Sequence, residues 1–92
     1  MASFFFMDSF YTYVLYSRKY DKIYIGYSAN VDQRLVSHND IKNTGWTKKY
    51  QPWIIAYTET YPKKKQAMKR EKQLKSAKGR EFIWNEIIPK IK

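Results

Sequence analysis

Two tripeptides, Tyr11-Thr12-Tyr13 and Tyr24-Ile25-Gly26, are followed by Arg34 and, much later, by Glu71 in a chain of 92 residues. Phenols, a guanidinium and a carboxylate can together form one phosphodiester-cutting site. Such a reaction requires an activated water, neutralisation of charge on the phosphoryl oxygens and help for the departing oxygen. A phenol titrates near ~10 when unperturbed, so Tyr24 or Tyr13 acts as a general base at neutral pH only beside positive charge or a metal ion. Arg34 offers a fixed fork of donors suited to non-bridging phosphate oxygens. His38 follows it by one helical turn, about 6 Å along the axis, on the same helix face. It can position water, contact phosphate or assist proton transfer, or it can be a packed or surface histidine without a chemical role.

Ala67, Met68, Glu71, Leu74 and Lys75 fall near one stripe of a helix of period 3.6, which places the Glu71 carboxylate beside or within a packed face. An unpaired carboxylate there is costly. A hard divalent cation such as Mg2+ can satisfy it, with water and substrate oxygens completing the shell. Lys75, one turn on, is the other available partner. Gly26 keeps the sheet surface beside Tyr24 clear of a Cβ, or simply ends a strand.

The formal charge is +10, from 18 Lys and Arg against 8 Asp and Glu. That excess concentrates anions at the surface. Lys42, Lys48 and Lys49 alternate with Trp46 and Tyr50, a mixture able to hold phosphates and stack on exposed bases. Lys63, Lys64, Lys65, Lys69, Arg70, Lys72, Lys75, Lys78 and Arg80 form the densest basic region. Such residues track a nucleic-acid backbone and confer salt dependence without reading sequence, unless they are only a solvated helix face. DNA is the first expected partner and RNA the second, with an acidic protein less favoured. No apolar run approaches the roughly 18 residues that span a bilayer, so no membrane is expected. The hydrophobic run 3–7 is short and lacks a basic leader, so it does not read as a signal peptide, and Met7 could itself be the start. There is no cysteine, hence no disulfide framework or thiolate metal site, which suits a reducing cytoplasm.

These residues must be positioned by a small α+β domain. Tyr11 to Ser17 and Ile23 to Tyr27 read as a hairpin with Asp21 in its turn. Tyr11, Tyr13 and Leu15 take one face, and Thr12, Val14 and Tyr16 the other. Ser28 or Asn30 can cap a helix carrying Asp32 in its first turn, with Val31, Leu35, Arg34 and His38 towards one side. Residues 39–51 show no period and are expected as a mobile, exposed loop. Trp53 to Thr58 reads as a third strand. Pro62 fits a helix start, and that helix runs to about Ser76. Gly79 is expected to break it, and a last helix from Arg80 to Ile88, with Phe82, Ile83, Trp84 and Ile87 inward, ends at Pro89. The order β-β-α-β-α-α packs as helices over a three-stranded antiparallel sheet. Residues 1–9 are expected as a partly disordered extension, 10–89 as the domain and 90–92 as a tail.

Taken in order, these motifs resemble the GIY-YIG nuclease superfamily, in particular its small stand-alone single-domain members. Tyr11-Thr12-Tyr13 stands for the first half-motif, with Tyr11 and Thr12 in its glycine and isoleucine positions, and Tyr24-Ile25-Gly26 stands for the second. Arg34 to Asn39, Gln51-Pro52-Trp53 and the stretch Lys69 to Lys75 resemble the same branch. The resemblance implies a divalent-metal-dependent endonuclease acting on DNA, of structure-directed or low specificity, with a place in repair or recombination. It implies a tyrosine base (Tyr24 favoured, with Tyr13 orienting water or phosphate), Arg34 on the transition state, and Glu71 holding Mg2+ or Mn2+. Asn85 is the nearest counterpart of the late asparagine of many superfamily nucleases. The alternative is a nucleic-acid-binding module that keeps this fold and does not cut. In either case specificity must come from substrate shape or from a partner protein.

Overall fold

The computed structural model describes residues 9–92; the expected signal-free run 3–7 and all but the last residue of the expected extension lie outside them. Strands β1 (Phe10–Ser17) and β2 (Lys22–Ser28) pair antiparallel around a turn in which Asp21 takes φ 55°, a conformation that aspartate tolerates better than most residues. Strand β3 (Ile54–Tyr61) pairs with the other side of β1, giving the order β2-β1-β3, all antiparallel. The two-residue period of β1 divides its side chains as the sequence predicts. Tyr13 and Leu15 pack with Val31 and Trp53 on one face, while Val14 and Tyr16 pack with Ile23, Ile25, Leu74 and Ile83 on the other.

Helix α1 (Val31–Asn39) covers the first face. Of the two possible caps it is Asn30 that accepts from the Gln33 amide, at 3.0 Å. Helix α2 (Lys64–Lys75) covers the second face and starts two residues after Pro62. The buried Thr12 hydroxyl donates to the Ala67 carbonyl at 2.8 Å, pinning α2 against the central strand.

Three expectations are corrected. Residues 39–51 form no slack loop: they contain a 3-10 helix (Trp46–Tyr50) and are held by side-chain amides. Asn39 both donates to the Trp53 carbonyl (2.9 Å) and accepts from its amide (2.6 Å). Asn43 donates to the His38 carbonyl and the Thr47 hydroxyl, and Gln51 donates to the carbonyls of His38 and Asp40. Such bonds leave no hydrophobic period to read, because the backbone is satisfied by polar side chains instead of by a repeating ladder.

Gly79, expected to break a helix, lies inside α3 (Ala77–Phe82) and is buried. The preceding helix ends at Ser76, as expected, and that residue makes the break: it donates to the Gln73 carbonyl (2.6 Å) and accepts from the Gly79 amide (3.2 Å). Pro89 does not stop the last helix either. A π-helical segment (Ile83–Ile87) widens the turn, the Ile88 amide bonding back to Ile83, and α4 (Ile88–Ile91) continues through the proline. A widened turn accommodates a residue that lacks an N–H and would collide with the carbonyl four residues back. Beyond the proline, Arg18 donates to the Ile91 carbonyl (2.7 Å) and Lys92 lies 3.6 Å from Asp21. Among the described residues, no helix is long and apolar enough to cross a membrane.

One half-buried network joins β3 to α2. Tyr57, Glu59 and Tyr61 alternate along one face of the strand, and Glu59 accepts from both phenols and from the forked guanidinium of Arg70 (2.9 and 3.2 Å). Burial pushes the Glu59 carboxyl up, but the bonds from Arg70, Tyr57 and Tyr61 outweigh it and hold the group below its ordinary 4.5. Because the folded-state value is depressed, this stabilisation is present above the unfolded value and is lost as pH falls through the folded one. Glu59→Gln is therefore expected to cost about 1–3 kcal/mol near neutrality. The gap between the two proteins should narrow as pH falls below 4.5, read from urea unfolding at several pH values. A gap that is constant with pH contradicts the charged network.

Candidate active site

Tyr13 and Tyr24 leave the same face of the hairpin: Tyr13 pairs in register with Gly26, and Tyr24 with Leu15. Their rings are 6.3 Å apart. A Cβ at residue 26 would sit 2.6 Å from the Tyr13 hydroxyl, so glycine lets the Tyr13 ring lie across β2 towards the outer edge of the sheet. The space that Gly26 leaves is taken by Tyr13, which lines the cavity beside Tyr24.

Among the described residues, no strand pairs with that outer edge of β2. Glu71 belongs to α2 on the opposite face of the sheet, yet it meets the phenols around this edge. Tyr13, Tyr24, Gly26, Arg34 and Glu71 line one open cavity of about 670 Å³. Arg34 is an exposed residue one turn into α1. Further polar residues, Gln33, Ser37 and Lys64 among them, share the lining. Sequence reading missed Gln33 as a site residue and placed Lys64 only in a general basic run. Lys64 precedes Glu71 by two turns on one helix face, and that spacing was the available signal.

The two phenols differ in burial. Burial, then the neighbouring Tyr24, push the Tyr13 phenol up to about 12, with Glu71 adding to the rise and Arg34 opposing it. Tyr13 is thus a protonated hydrogen-bond donor at any physiological pH. Tyr24 is only half-buried, with its ring 4.5 Å from that of His38. His38 does not line the cavity; its Nδ1 is 3.0 Å from the Thr47 hydroxyl. Burial, then Arg34, lower its pKa from 6.5, so the ring is neutral near pH 7. His38 packs behind Tyr24 and braces it instead of facing the cavity.

Glu71 is paired with Lys75 at 3.2 Å; the side chains are 18% and 50% exposed respectively. Among the described residues, no group of three or more His, Cys, Asp or Glu side chains is gathered for a metal. Among the described residues, Glu71 is therefore the single carboxylate lining this open cavity. Such a site suits a hard cation that keeps most of its water and takes substrate oxygens, and does not suit a closed all-protein cage.

The model of the GIY-YIG catalytic domain matches residues 9–86. The chain belongs to the GIY-YIG family. It is 34% identical over 70 residues to a UPF0213 protein of Staphylococcus haemolyticus, covering 76% of this chain and 84% of that one. The same figures hold for a UPF0213 protein of Staphylococcus epidermidis. Among solved structures, the solution NMR structure of a UPF0213 protein from Bacillus halodurans is similar at 28% identity, with a TM-score of 0.48, covering 82% of this chain and 81% of that one.

A GIY-YIG domain is a nuclease domain, and nucleic acid is the substrate class that goes with it. In this one, the remaining residues singled out from sequence are scattered. Arg70 is engaged with Glu59 and lies over the Phe82 ring at 5.9 Å, so its charge is spent inside the fold. Asn85 is exposed on the π segment and does not line the cavity. Lys42, Lys48, Lys49, Lys69, Lys72, Lys78 and Arg80 are all exposed. Of these, Lys48 donates to the Ile41 carbonyl and Arg80 to the Lys75 carbonyl. Trp46 remains 49% exposed while packing on Tyr50 and Trp53.

Proposed function

We propose that this GIY-YIG protein is an endonuclease that hydrolyses phosphodiester bonds in DNA, with a divalent cation, Mg2+ or Mn2+, held by Glu71. The observation that carries this reading is the convergence of two phenols, a guanidinium and a carboxylate on one open cavity. Arg34 would take the non-bridging oxygens of the phosphate, and its fixed charge would gain strength as negative charge builds there. Tyr13, its phenol pushed up by burial, would donate a hydrogen bond to phosphate or water. Tyr24, the more exposed phenol with the His38 ring 4.5 Å behind it, would accept the proton of the attacking water. Glu71 would exchange its half-exposed lysine partner for the ion, a small sacrifice because exposed pairs of this spacing contribute little. Once bound, the ion would supply positive charge to the phosphoryl and departing oxygens.

The direct test is cleavage of branched, nicked and single-stranded DNA with and without Mg2+ or Mn2+, comparing wild type with Tyr24→Phe. The variant is expected to lose roughly 10²- to 10⁴-fold in kcat, as for removal of a general base, with DNA affinity retained. Loss of affinity at wild-type turnover would overturn the base assignment. Salt-sensitive binding that never yields product would instead make the protein a binding module.

A further inference from the structure

Tyr24 borders a second cavity as well as the first. It has a volume of about 490 Å³ and is lined by Lys22, Tyr24, Trp46, Lys75, Arg80 and Trp84, with Ile23 and Ile25 at its floor. That volume falls in the range of sites for small molecules. The two tryptophans come from opposite faces of the sheet. Trp46 stands on the 3-10 helix, and Trp84 stands on the π segment with its other side edge-on to Tyr16 at 6.2 Å. Both remain partly exposed, so they bracket the outer edge of β2. The π turn thus has a second consequence besides accommodating Pro89: it lies where Trp84 enters this cavity.

The charges are arranged as the aromatics are. Arg80 is anchored by its bond to the Lys75 carbonyl (3.3 Å), and Lys22 lies over the Tyr50 ring at 5.6 Å. Asp21, also at the rim, is engaged by the Tyr16 hydroxyl (2.6 Å) and by Lys92. The lining therefore carries three cations against one carboxylate that is already partnered. The ion pair of Glu71 with Lys75 crosses the divide, one residue lining each cavity. These two residues are one turn of α2 apart, about 6 Å of rise, a step on the scale of neighbouring phosphates in an extended strand.

We propose that this second cavity is a nucleotide subsite. It takes the unstacked base of the nucleotide next to the cleaved bond against Trp46 and Trp84, and that nucleotide's phosphate on Lys22 and Arg80. The inference rests on the cleavage reading for its neighbour but is tested without cleavage. Stacking on aromatic side chains tolerates any base, because every base offers a π face. Lys75, released from Glu71 when the ion binds, faces the same phosphate, so filling one cavity favours filling the other.

The test uses the whole chain without divalent metal and a short deoxyoligonucleotide, compared with the same oligonucleotide carrying an abasic residue at one internal position after another. Binding is followed by anisotropy and by tryptophan fluorescence. Wild type is expected to bind the worst-placed abasic oligonucleotide roughly tenfold more weakly than the intact one, and only the intact one should quench fluorescence strongly. Trp46→Ala is expected to bind both equally, and Arg80→Ala to weaken both, with urea midpoints confirming that each variant folds. Wild type that ignores the abasic position, or Trp46→Ala that still discriminates, overturns the subsite. If discrimination holds but wild type never cleaves with metal, the subsite stands and the cleavage reading falls. If wild type cleaves but never discriminates, the reverse is true.

Discussion

Glu71→Gln is expected to abolish metal-dependent cleavage while leaving the fold in place. The amide keeps the shape of the carboxylate and removes only its charge, so the loss would report on cation binding and not on packing. The native ion pair with Lys75 is an exposed pair one turn apart, worth only about 0.3–0.5 kcal/mol. The urea midpoint should therefore barely move. Turnover should fall below roughly one-hundredth of wild type, the size of effect seen when one electrostatic stabiliser of a transition state is removed. Binding of Mn2+ in the absence of DNA, followed by calorimetry, should weaken in parallel. Unchanged turnover by this variant on a substrate that wild type cuts would remove Glu71 from the metal role.

Of the three glycines, Gly79 should be the one at which an added methyl, as in Gly79→Ala, destabilises most. An added Cβ would sit 2.2 Å from the Gln73 carbonyl oxygen and 2.4 Å from the Leu74 Cα. Both are backbone atoms of the last turn of α2, and neither can rotate away as a side chain could. Relief requires prying α3 from α2 at the point where Leu74 is fully buried in the core. A cost of about 3 kcal/mol is expected, at the upper end for overpacking. In a helix interior alanine is otherwise favoured over glycine by roughly 1 kcal/mol, so the sign of the change separates the two views of this residue. Urea unfolding decides: a stabilised variant would mean that α2 and α3 are not so closely packed.

Gly79 also shows why some of this fold could be read in advance and some could not. From sequence, a glycine between two helical stretches is a breaker, and the actual break at Ser76 is made by one hydroxyl that serves both helices. Nothing local distinguishes a glycine that ends a helix from one that lets two backbones touch. The strands were legible because alternation along Tyr11 to Ser17 maps onto two faces, each of which found a core. Residues 39–51 were not, because Asn39, Asn43 and Gln51 hold them through bonds to backbone groups up to fourteen residues away. The Glu59 network escaped for the same reason, its partner Arg70 lying on another element.

By itself, the order of residues determined the α+β class, the antiparallel hairpin, the basic character and the set of groups able to attack a phosphodiester. Each of these follows from local periodicity, composition or side-chain chemistry. Only the tertiary structure decided that Tyr13 crosses Gly26, that Glu71 reaches the phenols around the outer edge of β2, and that His38 stands behind Tyr24. It also decided that Arg70 is spent on Glu59 and that Trp84 joins Trp46 across that edge. These are relations between elements far apart in the chain, set by which strand lies at the margin of the sheet and how closely two helices approach, and no short-range pattern carries them.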